Sequence, residues 1–201
     1  MVASQVAEMT RMQDEVITGI ANLIESRDGS TGLHVKNTQN YVQILTKALR
    51  EKGMYPDILD HNYELNTVKA SVLHDIGKIK TPDAILLKPG RLTDEEFEIM
   101  KQHTVAGCEI IDRIIGNVEH EEYVDIARKI ARYHHERWDG TGYPDGLSGE
   151  EIPLCARIMA LADVFDALYQ DRCYKKAIRP ASKVFEIIKE NSGSQFDPNL
   201  T

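Results

Sequence analysis

Apolar residues along this chain recur at three- and four-residue intervals, the period of an amphipathic helix, and no stretch alternates as a strand would. Residues Ser4 to Ser26 predict one helix, with Val6, Met9, Met12, Val16, Ile20 and Ile24 on its stripe. The polar, glycine-containing run from Arg27 to Gly32 breaks it. His34 opens a second helix, whose face passes through Thr38, Tyr41, Leu45 and Leu49. A short link with Gly53 and Pro56 leads to a third, in which Leu65, Val68, Val72 and Ile76 fall at helical spacing. Gly77 is the expected C-terminal stop, so His74 and Asp75 leave one helix end side by side.

Pro82, Pro89 and Gly90 make Lys78 to Leu92 a structured loop. Thr93 followed three residues later by Glu96 is a capping box. The helix it starts carries Phe97, Met100, Gly107, Ile110 and Ile114 on one stripe, and His103 falls on that stripe. From about His120 to His135 a further helix turns Val124, Ala127, Ile130 and Ala131 inward, and His134 continues that face. Glu136 to Pro144 is a glycine-rich loop. After Pro153, Ile158 to Leu168 is apolar nearly all round, the mark of a buried helix, and its only charged members are Asp163 and Asp166. A last helix covers Ala181 to Glu190, and Gln195 to Thr201 is a polar tail. The pattern predicts a single all-α domain.

A length of 201 residues suits one such domain. Hydrophobic content of 42% and charged content of 28% are ordinary for a globular protein. The net charge of −8 argues against a broad nucleic-acid surface, so any phosphate must be met by metal ions or a few placed cations. Cys108, Cys155 and Cys173 lack CxxC spacing and read as core-filling thiols in a reducing compartment. No apolar run could span a bilayer and no signal-peptide pattern opens the chain. The expected location is cytoplasmic, including as the cytoplasmic part of a larger membrane-anchored protein.

Five histidines sit at helix ends or on inward stripes: His34, His74, His103, His134 and His135. His61 and His120 lie in polar surroundings. One inward histidine is ordinarily a satisfied core residue. Asp163 changes the weighing, because a carboxylate in an apolar helix costs several kcal/mol unless it is paired or bound to a metal. Five imidazoles and two carboxylates exceed a four-coordinate structural zinc site. They suit two metals about 3.5–4 Å apart, as in phosphodiester hydrolysis at a two-metal centre. The assignment puts His34, His74, Asp75 and Asp163 on one metal, and Asp75, as the bridge, with His103, His134 and His135 on the other. Mixed nitrogen and oxygen ligands without thiolates leave iron, manganese, zinc or nickel open.

These residues resemble the HD-GYP family, the branch of the HD superfamily that hydrolyses cyclic di-GMP. The likeness runs from Glu25 to Pro198. It includes His74-Asp75-Ile76-Gly77-Lys78, Pro82-Asp83-Ala84-Ile85-Leu86, His103-Thr104 and His134-His135-Glu136-Arg137-Trp138-Asp139-Gly140. Gly142-Tyr143-Pro144, Gly149-Glu150-Glu151-Ile152-Pro153 and Ala162-Asp163-Val164-Phe165-Asp166-Ala167 follow in order.

The resemblance implies an HD-domain helical bundle with a two-metal site in its core. It implies metal-dependent cleavage of cyclic di-GMP to pGpG, and often on to GMP. The expected cofactors are two divalent metal ions, iron or manganese. His74, Asp75 and Lys78 are expected to be catalytic, and Lys78, Arg172, Lys175 and Tyr143 to hold the substrate. Residues 1–24 are expected to form a helix with the character of a signalling linker, and residues 25–201 the catalytic domain. A homodimer through that helix is expected, with a diguanylate cyclase or an upstream sensor domain as further partners. Some relatives carry a glutamate where this chain has Ser30, and there it helps to hold a third metal. A hydroxyl is a poor substitute, so two metals are expected here unless Glu25 or Asp28 compensates. Two alternatives stay open at this point: a slow cyclic-dinucleotide-binding signalling module, and a phosphodiesterase for another cyclic dinucleotide such as cyclic GMP-AMP.

Overall fold

The computed structural model describes residues 2–28, 33–116, 121–170 and 177–201. Ser30, His120, Arg172, Cys173 and Lys175 lie outside the described residues, as do the side chains of Val6 and Asp28. Among the described residues the chain is helical, with no strand. The helices are α1 (Val2–Glu25), α2 (His34–Glu51), α3 (His61–Ala70), α4 (Asp83–Leu86), α5 (Asp94–Ile115), α6 (Glu121–Tyr133), α7 (Leu154–Tyr169) and α8 (Ala181–Glu190). None of them is long and apolar enough to cross a membrane.

Local chemistry sets the starts. Thr93 Oγ1 accepts the Glu96 N–H at 3.3 Å while the Glu96 carboxylate accepts the Thr93 N–H at 2.7 Å, the reciprocal cap expected for α5. Asp60 caps α3 by accepting the Tyr63 N–H at 2.7 Å. α7 is the axis of the bundle: every residue from Leu154 to Ala162 is buried, and α2, α6 and α8 pack around it. Val42, Ile130, Ile158 and Met159 are fully enclosed there, each side chain stabilising the fold by about 1.5–3 kcal/mol.

The third helix differs from its sequence pattern. α3 stops at Ala70, and two 3₁₀ turns follow, Ser71–Leu73 and Ile76–Lys80, with His74 and Asp75 between them. The tighter winding shifts the phase of the stripe. Val72 and Ile76 are buried as expected, but Leu65 is exposed. Gly77 is therefore not a left-handed helix stop. A Cβ on it would fall 1.8 Å from the His103 carbonyl oxygen and 2.5 Å from Gly107 N, so glycine is what lets this turn lie against α5. The loop expected from Lys78 to Leu92 holds the end of the second of these turns and the single turn of α4.

Among the described side chains of α1, Ala21 and Ile24 in its last turns join the core, while Met9, Met12, Val16 and Leu23 face outward. The end of α1 is tied at two points. The Glu25 carboxylate accepts the Val35 N–H at 3.1 Å at the start of α2. The Arg27 guanidinium donates to Ile79 O at 3.2 Å, Thr81 O at 3.3 Å and Asp83 Oδ1 at 2.6 Å. At the other terminus the polar tail folds back. Trp138 and Asp139 donate their N–H groups to Gln195 O and Ser194 O at 3.2 and 2.8 Å, and buried Arg157 pairs with Asp197 at 2.6 Å.

Candidate metal centre

Three imidazoles are aimed by the backbone of the elements that carry them. His74 Nδ1 lies 2.9 Å from Ser71 O, His103 Nδ1 2.7 Å from Met100 O, and His134 Nδ1 3.0 Å from Ile130 O. A carbonyl can only accept, so each Nδ1 is the donor and each ring turns its Nε2 into the interior. Those three Nε2 atoms and Asp75 Oδ1 are buried and have no hydrogen-bond partner among the described residues. Converging, unsatisfied lone pairs are costly to bury unless a cation sits among them. The donor set therefore fits metal binding.

The donors fall into two groups, His34 with His74 and Asp163, and Asp75 with His103, His134 and His135, and within each group they lie within 4.8 Å of one another. Asp75 stands between the groups. Its Oδ1 is 3.3 Å from His103 Nε2 and 3.7 Å from His134 Nε2; its Oδ2 is 3.3 Å from His74 Nε2 and 2.7 Å from Lys78 Nζ. Burial opposes ionisation of this carboxyl, yet the Lys78 ammonium and His74 beside it hold it well below the usual carboxylate range. In the first group, His34 Nε2 lies 3.3 Å from Asp163 Oδ1 and its Nδ1 2.7 Å from Asp166 Oδ2. Burial disfavours charge on His34, but these two carboxylates outweigh it and raise the ring to about 10. Burial also opposes ionisation of Asp163, and the hydrogen bond and charge of His34 hold it far below its ordinary value. In the second group burial wins, taking His103 down to about 4 against the pull of Asp75 and His135 well below its usual value.

The loop after His135 closes one side. Tyr143 stacks on the His135 ring, with centroids 4.8 Å apart and planes at 28°. Buried Glu136 shapes this loop by accepting the N–H groups of Asp145, Gly146 and Leu147 at 2.8, 3.1 and 3.1 Å. A Cβ on Gly142 would meet Arg137 N at 2.4 Å and Glu136 Cα at 2.5 Å, so only glycine lets the chain double back there.

Residues 19–200 match the family model described as the HD domain. This chain belongs to the HD-domain family. Its His74-Asp75 pair and intact Gly142-Tyr143-Pro144 turn are those of the HD-GYP branch. A cyclic di-GMP phosphodiesterase of Vibrio cholerae is 46% identical over 194 residues, which make up 95% of this chain and 39% of that protein. A 3′3′-cGAMP-specific phosphodiesterase 2 of the same organism is 36% identical over 193 residues, 96% of this chain and 34% of that protein. This HD domain thus spans less than half the length of these curated relatives. Among solved structures, Bd1817, an HDG"Y"P protein from Bdellovibrio bacteriovorus, superposes with a TM-score of 0.61 at 17% identity, covering 96% of this chain and 61% of that one. That likeness shows the shared fold.

All seven residues read from the sequence as metal ligands come together in this HD domain, drawn from α2, α5, α7 and the segments after α3 and α6. Lys78 reaches Asp75, and Tyr143 reaches His135. His61 is exposed, as its surroundings suggested. Two residues went unassigned in the sequence. Asp166, one turn beyond Asp163, orients His34, and its charge in an apolar helix was the available signal. Glu136 gave no such signal, since nothing in its spacing tells which amides it meets.

Proposed function

We propose that this domain is a metal-dependent phosphodiesterase that opens cyclic di-GMP to the linear dinucleotide pGpG and so lowers a second messenger. The observation that carries the reading is the placement of Asp75, one oxygen facing each imidazole group. His34, His74, Asp75 and Asp163 would hold one divalent cation, and Asp75, His103, His134 and His135 the other, with iron or manganese as the expected metals. Two such cations supply charge stabilisation for the phosphoryl oxygens and an acidified water as nucleophile. The chain's own groups do the rest. Asp75 and Asp163 balance cationic charge in the interior, and Lys78 presents an ammonium where a phosphate oxygen can share it. Tyr143 walls one side against water. By family likeness Arg172 and Lys175 hold the substrate's phosphates. Ser30 in place of a carboxylate favours two metals over three, which limits the second cleavage to GMP, and Glu25 is engaged at the start of α2.

Residues 25–201 are read as the catalytic domain and residues 1–24 as the helix that joins it to whatever lies upstream. The outward Met9, Met12, Val16 and Leu23 support a homodimer through that helix, spaced as a two-stranded seam would need. A diguanylate cyclase or a sensor domain is the further partner expected. The test is production of pGpG from cyclic di-GMP by protein loaded with iron or manganese without oxygen, beside His74→Ala. Cyclic GMP-AMP belongs in the same panel. No turnover by the loaded protein, or equal turnover by the variant, would end this reading.

A further inference from the structure

Outside the two imidazole groups Phe97 and Lys101 extend Tyr143 into an aromatic and cationic rim, and no role above absorbs these two. Phe97, in the first turns of α5, is 44% exposed. Its ring stands edge-on to Tyr143, with centroids 5.9 Å apart and planes at 85°. Lys101, one turn on, places Nζ 5.5 Å from the Phe97 centroid and 5.8 Å from the Tyr143 centroid. Tyr143 in turn lies 4.8 Å from His135 and 6.5 Å from His103, ring to ring. A continuous path of rings therefore runs from the buried donors to the surface. An exposed phenylalanine alone needs no explanation. One that is the outer step of such a path, under a lysine, has the makings of a ligand platform.

We propose that Phe97 and Lys101, with Tyr143 behind them, form a docking rim for one purine base of the cyclic dinucleotide, and that Lys101 makes that base guanine. The inference rests on the phosphodiesterase reading. A phosphate held beside Asp75 and Lys78 leaves its base one sugar away, and Tyr143 and Phe97 are the rings that extend outward from His135. Every base has a π-face that an aromatic side chain can accept, whatever its sequence identity. Identity comes from the cation. Guanine offers two acceptors, O6 and N7, to an ammonium, whereas adenine turns its N6 donor toward it. Lys101 is held near by Glu98, whose Oε1 lies 2.6 Å from Nζ, and that pair is open to water and can exchange for a base.

Two substrates read the rim separately from the centre: cyclic di-GMP, and methyl 4-nitrophenyl phosphate, a diester without bases. Phe97→Ala lowers kcat/KM for cyclic di-GMP about tenfold or more relative to the small diester, with the loss in KM. Because both rates come from one preparation, their ratio cancels any loss of folded protein. Lys101→Met narrows the preference for cyclic di-GMP over cyclic di-AMP about fivefold, and Lys101→Arg retains it. An unchanged ratio in Phe97→Ala, or an unchanged base preference in Lys101→Met, overturns the rim. If the unvaried metal-loaded protein cleaves the small diester but not cyclic di-GMP, the substrate reading fails and the rim falls with it.

Discussion

The two halves of the candidate centre solve the same burial problem in opposite ways. The half built from α2 and α7 sets His34 between Asp163 and Asp166, so an imidazolium is balanced by carboxylates and stays charged to about pH 10. The half built from α5 and the end of α6 gathers His103, His134 and His135 around the single carboxylate of Asp75, and burial holds His103 and His135 below the usual imidazole range. Without a metal the ion pairs of His34 compensate much of the first half, where His74 Nε2 is left unsatisfied, whereas the second half has His103 Nε2, His134 Nε2 and Asp75 Oδ1 unsatisfied together. The first is therefore expected to depend on its ion pairs for stability, the second on its cation.

Asp75 belongs to both halves, so Asp75→Asn is the change that should erase the contrast. Bound metal falls in both groups and cyclic di-GMP turnover drops by a hundredfold or more, about the upper loss seen for residues one step further from a metal. Elemental analysis beside product assay checks it; full metal content in the variant would contradict the bridging role. Next in size is a pair of truncations in metal-free protein. His34→Ala leaves Asp163 and Asp166 buried without their partner and costs about 3–5 kcal/mol, whereas His103→Ala removes an uncharged ring and costs clearly less. Chemical denaturation in the presence of a chelator ranks the two, and equal losses would remove the distinction drawn above. Asp166→Asn weakens metal affinity about 10–100-fold in the His34 group alone, because the ring loses the partner that orients it. Equilibrium dialysis should then show one weakened site beside one unchanged site. The smallest effect is on the loop: Glu136→Gln forfeits part of a three-amide acceptor and costs about 1–3 kcal/mol. The loosened loop appears as faster amide exchange at residues 145–147, with the His34 group unaffected.

Much of this was legible in the chain because the signals are local. The capping box at Thr93 and Glu96 and the apolar run that became α7 each express a preference of neighbouring residues. The inward histidines were legible for the same reason: they interrupt stripes whose period is set by the helix itself. What went astray was phase and partnership. Leu65 was placed inside because α3 was extended through residues that wind as 3₁₀ turns, and Gly77 was read as a stop when its service is a close approach to His103 and Gly107. Both errors come from contacts with other helices, of the Ser71–Leu73 turn with α2 and α6 and of Gly77 with α5.

By itself the sequence determined where most of the long helices would lie and which residue types would be trapped in their interior with lone pairs to satisfy. These follow from the 3.6-residue period and from the cost of burying charge, and both act over a few residues. The tertiary structure alone decided that Asp75 turns one oxygen to each group, that Asp166 orients a histidine 132 positions away, and that Glu136 binds the loop that lays Tyr143 on His135. Those relations depend on distances between separate helices, and these are settled only when the whole core packs.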